Sequence, residues 1–289
     1  MKRSKFWDTL FLAPAVLAFL AVIIVPFILG IYYSLTDWNG IQPTWNFVGL
    51  ANYPAMFAEL QFRYSFFITL LFTIINVVLV NLVGFGLALL GTSKLALRNF
   101  YRAGFFVPNL IGGIVLGYIW QFMFNNLFPA MFSAKSMLAQ STGAIWALSF
   151  VNTWQYSGYI MMIYIAAIQS IPDSVMEAAS VDGATYMVRL RKILIPMMAN
   201  SFTITLFLTL TNSFKQYDMN FTLTNGGPSA KFMGSIVKGS QLLAMDIFTT
   251  ANSRSLLAFA QAKAVVFFIM LVTFSLIQVS ISRRKEIEA

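Results

Sequence analysis

The side chains that could carry covalent chemistry are few in this chain. It contains no cysteine and no histidine, which excludes thiol catalysis, disulfides, imidazole general-base catalysis and metal ligation by histidine. The carboxylates of its loops show no paired spacing: Asp37, Glu59, Asp218 and Asp246. A membrane-embedded enzyme is expected to group acid–base residues or metal ligands at one membrane face. Any chemistry must therefore use carboxylates or hydroxyls, or take place on a partner, and such an enzyme is kept only as an alternative.

Amides, hydroxyls and aromatic rings form the more regular polar pattern. One group repeats at i, i+3, i+4 and i+7, so that a helix would present it as one stripe: Thr209, Asn212, Ser213 and Gln216. A second group lies in another apolar run and partly shares this spacing: Asn152, Thr153, Tyr156, Ser157 and Tyr159. Trp120 and Gln121 end a third run. Because polar groups are costly in hydrocarbon, all of these side chains are expected to face protein or water.

Helices that cross a membrane have to position these groups. Hydrophobic residues make up 58% of the chain, the mean hydropathy is +0.74 and 10% of the residues are charged, against about 25% in a soluble domain. Six apolar runs are long enough to span a bilayer: about 9–35, 65–90, 104–124, 144–169, 197–214 and 264–282. The composition therefore predicts an all-α integral membrane protein with six transmembrane helices.

Local patterns refine these elements. Pro14 and Pro26 are expected to kink the first run. Gly84 and Gly86, near the end of the second run, are expected to let another helix approach closely. In the long connection over 215–262, the apolar spacing from Phe232 through Ile236 to Leu243 predicts a small surface helix.

The positions of the basic residues predict the orientation. The formal net charge is +9, but the basic residues lie at the ends of apolar runs rather than on one soluble face, which argues against nucleic acid as a partner. They concentrate in both tails, in the loop holding Lys94, Arg98 and Arg102, and in the segment 173–196, so both termini and that segment are expected to be cytoplasmic. The expected spans hold no charged residue. An ion-coupled secondary transporter commonly needs one, and it stays a second alternative.

The segment 173–196, called the elbow below, is polar yet has the signals of folded structure. Asp173 is expected to cap a short helix, and Asp182-Gly183 to end it in a turn. Thr185 is expected to cap a second helix, which Pro196 restarts into the next apolar run. The result is a helix-turn-helix on a membrane surface. Its basic residues are expected to hold it at anionic lipid head groups: Arg189, Arg191 and Lys192.

The elbow resembles the EAA loop of the membrane subunits of binding-protein-dependent ABC importers. The matching positions are Glu177, Ala178, Ala179, Gly183, Ile193 and Pro196, and the chain departs at Ile195, where the family usually has leucine. The alternative interpretation is an ordinary amphipathic loop between helices. The resemblance implies the type I ABC importer permease fold with both termini cytoplasmic. It divides the chain into residues 1–64 (tail, first helix and external loop), 65–283 (transmembrane core domain) and 284–289 (cytoplasmic tail).

The same resemblance implies the coupling residues. These are Glu177, Ala178, Ala179, Asp182 and Gly183. Glu177 is expected to accept a charge-assisted hydrogen bond from the cytoplasmic ATPase, while the alanines fit its groove and Gly183 permits the turn. The chain lacks a Gly-x-x-x-x-Gly-Lys-Ser/Thr phosphate loop. ATP and magnesium are therefore expected on the partner ATPase, and no cofactor is expected on this chain. The resemblance implies two copies of that ATPase.

Two further stretches resemble carbohydrate-importer permeases of the maltose and multiple-sugar type. They are Phe47–Tyr53, which reads Phe-x-Gly-Leu-x-Asn-Tyr, and Thr224–Pro228, which reads Thr-x-Gly-Gly-Pro. The resemblance implies a sugar or oligosaccharide substrate, a second homologous permease as heterodimer partner, and a bacterial cell membrane location. It also implies an extracytoplasmic sugar-binding protein that docks at Gly226, Gly227 and Pro228. A self-packed lid is the alternative for that loop.

In a permease of this kind the polar stripes are expected to line half of the translocation pathway. Amides and hydroxyls can pair with sugar hydroxyls, and a tryptophan or tyrosine ring can cover the apolar face of a pyranose. The expected path residues are those of the two stripes together with Trp120 and Gln121. Hydrogen bonding between helices is the alternative for each of them.

Overall fold

Helices account for most of the chain in the computed structural model, which describes residues 2–93, 97–133 and 135–284. Lys94 of the expected basic loop and residues 285–289 of the expected tail lie outside the described residues. The α-helices are α1 (Lys2–Phe19), α2 (Val25–Ser34), α3 (Asn52–Ala58), α4 (Leu60–Thr92), α5 (Arg98–Phe106), α6 (Gly113–Phe122), α7 (Phe128–Phe132), α8 (Ser141–Gln169), α9 (Asp173–Val181), α10 (Tyr186–Arg189), α11 (Ile195–Met197), α12 (Ala199–Phe214), α13 (Asp218–Thr224), α14 (Leu243–Asn252) and α15 (Leu257–Arg283). The strands are β1 (Ser229–Phe232) and β2 (Ser235–Lys238).

Some of these helices are long and apolar enough to cross a membrane. Among the described residues, three qualify alone: Leu10–Ser34, Leu60–Thr92 and Leu257–Arg283. Three bent pairs qualify together: Arg98–Leu110 with Gly113–Phe132 (97°), Ser141–Gln169 with Asp173–Val181 (68°), and Tyr186–Met197 with Ala199–Phe214 (70°). By length and composition the chain is thus a multi-pass membrane protein with between three and six spans. The count of six stays a prediction.

Three π-helical turns each precede a proline. Leu20–Ile24 comes before Pro26, Met123–Leu127 before Pro129, and Leu190–Leu194 before Pro196. A proline has no N–H, and its ring clashes with the carbonyl four residues earlier. A π turn widens the helix at that carbonyl, so the chain continues in helical form. Pro14 differs, since α1 runs through it without such a turn.

The chain divides into two compact units, of which the first is Met1–Glu59 and Ile247–Ile269. In this unit the Phe47–Tyr53 stretch has a structural role. The Asn52 side-chain amide donates to the carbonyls of Ser34 and Thr36, each at 2.8 Å, and the Tyr53 hydroxyl lies 2.8 Å from Ser34 Oγ. The stretch therefore ties the end of α2 to the start of α3, and it satisfies carbonyls that α2 leaves free.

A buried ion pair also lies in the first unit. Helix α15 begins at Leu257 rather than near residue 264, so it includes Lys263, which the expected span did not. Lys263 is 0% exposed, and its Nζ lies 2.6 Å from Glu59 Oε2; Arg254 pairs with the same carboxylate. Burial raises the pKa of the Glu59 carboxyl, but Lys263 and Arg254 outweigh it, so this pKa is lowered overall. The pair keeps a charged side chain stable within an otherwise apolar helix.

The second unit comprises Leu60–Asp246 and Met270–Ala289, and the packing of α4 against α8 forms its centre. Helix α12 packs against both. One cluster of buried hydrophobic side chains contains Phe72 and Leu148, and another contains Val80 and Ile160. The polar groups of α4, α8 and α12 lie between and beside these clusters, where water is excluded.

The expected small helix around Phe232 and Ile236 is wrong. These residues belong to β1 and β2, an antiparallel hairpin in which Phe232 pairs with Ser235. Met233 and Gly234 form its two-residue turn with φ of 47° and 81°, the positive values that a tight hairpin turn with matching twist requires. Val237 is buried while Ile236 is 76% exposed, so the strand has one packed and one open face.

The two glycines near the end of α4 provide a matched test of this packing. A Cβ on Gly84 would lie 2.9 Å from Ile160 Cγ2 and 3.2 Å from the Ser157 carbonyl oxygen of α8, whereas a Cβ on Gly86 meets nothing within 4 Å. Among the residues that the structure describes, the expected packing role therefore holds for Gly84 and not for Gly86. We predict that Gly84→Ala destabilises the chain by about 1–3 kcal/mol through overpacking, while Gly86→Ala is neutral or stabilises by up to about 1 kcal/mol.

Thermal unfolding of the two purified variants in detergent measures this difference. A Gly84→Ala variant as stable as Gly86→Ala would contradict the close approach of α4 and α8.

Candidate functional site

The turn of the elbow is a Schellman motif at the end of α9. The Ala184 N–H donates to the Ala179 carbonyl at 2.9 Å, and the Gly183 N–H donates to the Ser180 carbonyl at 3.1 Å. Gly183 has a φ of 77°, the left-handed conformation that this motif needs and that glycine adopts at little cost. The predicted turn at Asp182-Gly183 is thus confirmed.

The predicted caps of the two elbow helices are only partly right. Thr185 occupies the N-cap position of α10, but its side chain makes no capping hydrogen bond. The N-cap of α9 is Pro172, so Asp173 is the first helical residue and caps nothing. Its carboxylate still lies in the first turn, where the positive end of the helix dipole favours it.

The outer surface of the elbow combines one carboxylate with small and apolar side chains. Glu177 and Ala178 are exposed, whereas Ala179 is 8% exposed and packs inward. Val181 is 88% exposed and Tyr186 is 60% exposed. Apolar side chains this open at a turn are suited to a protein partner or a lipid surface.

Of the three basic elbow residues, Arg189 has a partner within the elbow itself. Its guanidinium donates to Ser180 Oγ, which in turn donates to the Met176 carbonyl at 2.8 Å. Arg189 therefore links α10 to α9. Arg191 and Lys192 are exposed, as the expected contact with lipid head groups requires.

A polar cavity lies where α12 ends. Its volume is about 370 Å³, within the range of about 300–1,000 Å³ that is typical of small-molecule sites. Three of the predicted path residues line it: Tyr156, Asn212 and Gln216. The sequence reasoning missed the remaining lining residues, which are Leu208, Thr211, Lys215, Tyr217 and Asp218.

The missed residues gave little signal in the sequence. Tyr217 and Asp218 follow the last turn of α12 and were assigned to a connection, yet the chain turns there directly into α13. The Tyr217 ring stacks on Phe221 of that helix with centroids 5.7 Å apart. The break between α12 and α13 is what brings both residues back to the cavity.

Asn152 and its neighbours lie behind this cavity rather than in its wall. Asn152 is 1% exposed; its amide group donates to Asn76 Oδ1 at 2.8 Å, and its Oδ1 accepts from Gln216 Nε2 at 2.9 Å. Thr153 and Ser157 are also buried. Tyr159 is partly exposed, and its ring centroid lies 5.4 Å from that of Tyr156.

A second network holds Thr209 away from the cavity. Thr209 is 0% exposed and accepts from Asn81 Nδ2 at 3.2 Å. The Tyr164 hydroxyl donates to Asn81 Oδ1 at 2.8 Å and accepts from Thr205 Oγ1 at 2.7 Å. Ser213 is likewise 0% exposed. The expected stripe is thus divided, with Asn212 and Gln216 on the cavity and Thr209 and Ser213 in the helix interface. Gln216 lies just beyond α12, which ends at Phe214.

Trp120 and Gln121 lie elsewhere in the second unit. The Trp120 ring belongs to an aromatic cluster, with centroids 5.5 Å from Phe124, 5.4 Å from Phe150 and 5.5 Å from Trp154. Gln121 donates to the Leu223 carbonyl of α13 at 3.2 Å. Neither residue lines the polar cavity.

The Gly226-Gly227-Pro228 loop is held by internal hydrogen bonds. Ser240 Oγ lies 2.6 Å from the Gly227 carbonyl oxygen and donates to it, and the Ser240 N–H donates to the Gly226 carbonyl at 3.0 Å. Gly226 is buried with a φ of 79°, and a Cβ there would lie 3.2 Å from Gln241 Cβ. The loop positions the hairpin, whose turn residue Met233 is 68% exposed.

No site for a metal ion is evident in the part of the chain that the structure describes. Groups of three or more histidine, cysteine, aspartate or glutamate residues that could hold one are absent there. The polar groups of the cavity are amides, hydroxyls and one charged residue of each sign, which suit hydrogen bonding rather than metal ligation.

Solved structures and curated proteins resemble this chain over nearly its whole length. The bacterial alginate ABC transporter, solved in complex with an alginate pentasaccharide-bound periplasmic protein, has a chain that matches with a TM-score of 0.80 at 17% identity, covering 98% of this chain and 96% of that one. At this identity the match shows the fold alone.

Two curated relatives are transport permeases. The probable starch degradation products transport system permease protein AmyD of Thermoanaerobacterium thermosulfurigenes is 40% identical, with 99% of each chain covered. The multiple sugar-binding transport system permease protein MsmF of Streptococcus mutans is 27% identical, with 98% of each covered.

The family profile described as "Binding-protein-dependent transport system inner membrane component" matches residues 80–287. That match contains the elbow, the polar cavity and the hairpin, and it covers more than half of the chain. The chain therefore belongs to the family of binding-protein-dependent transport system inner membrane components, as an ABC transporter permease.

Proposed function

We propose that the chain is the permease subunit of an ATP-driven carbohydrate importer and that its polar cavity forms part of the sugar pathway. The observation that carries this proposal is the cavity beside α12, where two tyrosines, two amides and a threonine hydroxyl converge among apolar helices. Such groups bind sugars, since amides and hydroxyls pair with sugar hydroxyls and a tyrosine ring covers an apolar sugar face. The names of the relatives point to starch degradation products or related sugars as the cargo.

The orientation follows from the charges. The chain crosses the cell membrane of a bacterium six times, each bent helix pair forming one span. Both termini lie in the cytoplasm, because the basic residues concentrate in the tails, the segment 94–102 and the elbow. The elbow is then cytoplasmic, and the hairpin and the Gly226-Gly227-Pro228 loop are external.

The partners follow from this orientation. A second, homologous permease forms a heterodimer with this chain and completes the pathway. Two copies of a cytoplasmic ATPase bind ATP and magnesium and contact the elbows. A soluble sugar-binding protein docks outside, on the hairpin that presents Met233 and Ile236, while Gly226, Gly227 and Pro228 support that hairpin from behind.

Coupling depends on the elbow surface. Glu177 is exposed on α9 beside Ala178, so its carboxylate is free to accept a charge-assisted hydrogen bond from the ATPase. The small side chain of Ala178 lets the helix sit close to a groove. The Schellman turn at Gly183 and the bond from Arg189 to Ser180 make the elbow rigid enough to transmit a displacement.

The role of the elbow gives one prediction. Glu177→Ala is expected to lower sugar-stimulated ATP hydrolysis of the assembled complex at least about tenfold, because a charge-assisted bond contributes about 1.5–3 kcal/mol. Gly183→Val should act in the same direction by straining the left-handed turn. The matched control is Asp173→Ala, which removes an exposed carboxylate of the same helix that makes no capping bond. Coupling at the wild-type level in Glu177→Ala would remove the role assigned to the elbow.

The role of the cavity gives another. Replacing Asn212 and Gln216 together with leucine is expected to abolish sugar uptake while the complex still assembles, because both amides leave the cavity wall. Uptake is measured with radiolabelled sugar in proteoliposomes. The control is Gln121→Leu, which removes an amide of the second unit that lies outside the cavity. Unchanged uptake in the double variant would mean that the cavity is a packing defect rather than a pathway.

A further inference from the structure

Asn76, Asn152 and Gln216 form a chain of hydrogen-bonded side-chain amides. The chain begins at a backbone carbonyl, which can only accept a hydrogen bond. Asn76 Nδ2 donates to the Phe72 carbonyl oxygen of α4 at 2.8 Å. A backbone carbonyl can only accept, so the amino group of Asn76 must face it. The opposite end of the amide, Asn76 Oδ1, is thereby directed toward α8, where it accepts from Asn152 Nδ2 at 2.8 Å.

The same constraint passes from Asn152 to Gln216. Since the amino group of Asn152 is engaged by Asn76, its Oδ1 is the group that faces Gln216, and it accepts from Gln216 Nε2 at 2.9 Å. Asn76 is 0% exposed and Asn152 is 1% exposed. Flipping either amide would set two oxygens or two amino groups against each other without water, which is costly for buried polar groups.

The end of the chain lies on the cavity wall. With Nε2 turned toward Asn152, Gln216 Oε1 accepts no hydrogen bond from the described residues. Asn212, one turn earlier on α12, lines the same cavity, and its Oδ1 is buried and likewise without a partner. Because Asn212 Oδ1 is buried and Gln216 Oε1 is not among the buried atoms without a partner, Gln216 Oε1 is the acceptor of the two that a ligand can reach.

We infer that Asn76 and Asn152 are positioning residues that hold the Gln216 amide with its carbonyl oxygen as a fixed acceptor for a sugar hydroxyl. This inference rests on the proposed function. The site then favours a substrate that donates hydrogen bonds at this point, as a neutral saccharide does, over one that presents a carboxylate or phosphate there. The charged lining residues Lys215 and Asp218 carry opposite signs and are both exposed, so their formal charges cancel.

The test compares a hydroxyl with a group of similar size that cannot donate. The complete complex, with partner permease, ATPases and binding protein, is stimulated with maltotriose and with its deoxyfluoro analogues. In each analogue, fluorine replaces one hydroxyl group and cannot donate a hydrogen bond. In the wild type, half-maximal ATPase stimulation should require about tenfold more of the analogue altered at the hydroxyl that meets Gln216 than of maltotriose. This ratio of the two concentrations is compared between variants. In Asn152→Leu, and in Asn76→Leu one step further from the cavity, this ratio should fall to about twofold or less, because the Gln216 amide can then turn.

Two controls separate positioning from general damage. Ser149→Ala removes a hydroxyl that lies 3.3 Å from Asn76 Nδ2 but leaves the three amides linked, so the ratio should stay at the wild-type value. Gln216→Met, at a partly exposed position, should lower the ratio to about one even if the leucine variants fail to assemble. Because the same binding protein delivers the sugar to every variant, its own preference cancels when ratios are compared.

The outcomes are distinct. A wild-type complex that neither maltotriose nor any other neutral sugar stimulates contradicts the proposed function, and this inference with it. A wild-type complex that is stimulated, but whose ratio is unchanged in Asn152→Leu or in Gln216→Met, overturns the positioning role alone.

Discussion

A polar group inside a hydrocarbon-facing helix bundle must find its hydrogen-bond partner within the protein, and this constraint shapes the second unit more than any other. Helices α4, α8 and α12 each carry amides or hydroxyls that no water reaches. Several of them pair in two networks, one through Asn76 and Asn152 and one through Asn81, Tyr164 and Thr205. Wherever such a network reaches the cavity, its last member becomes available to a ligand. The proposed pathway therefore begins where the internal hydrogen bonding ends, and the same residue types line it.

The same helices connect the cavity to the elbow. Helix α8 carries Asn152 and Tyr156 and leads after a short break into α9, while α10 and α11 lead into α12, which ends at the cavity. A displacement applied to the elbow is thus applied to both helices that line the cavity. Their shared networks favour movement of α4, α8 and α12 as a block, because separating the helices would leave buried amides without partners.

Much of this arrangement could be predicted from the sequence, and the exceptions have physical reasons. The apolar run over 144–169 matches α8 to within a few residues, and Asp182-Gly183 ends α9 as expected, since periodicity and turn chemistry are local signals. The hairpin was missed because apolar residues at Phe232 and Ile236 fit one helical turn as well as two paired strands. The expected last span left out Lys263 because a charged residue at the edge of an apolar run predicts the end of a membrane helix. Its partner Glu59 is distant in sequence, so the sequence does not reveal the ion pair. For the polar stripes, spacing predicted one face but could not tell which members reach the cavity, since that depends on where α12 ends and α13 begins.

The central claim is that this chain conducts a neutral sugar and is driven by ATPases that act on its elbow. The most direct test is the ATP hydrolysis rate of the complete reconstituted complex, measured with sugar-free and sugar-loaded binding protein together with sugar accumulation in the vesicles. The account predicts that sugar-loaded binding protein raises hydrolysis several-fold and that sugar accumulates only when ATP is present. Equal hydrolysis with and without sugar, or accumulation driven by an ion gradient in the absence of ATP, would contradict it.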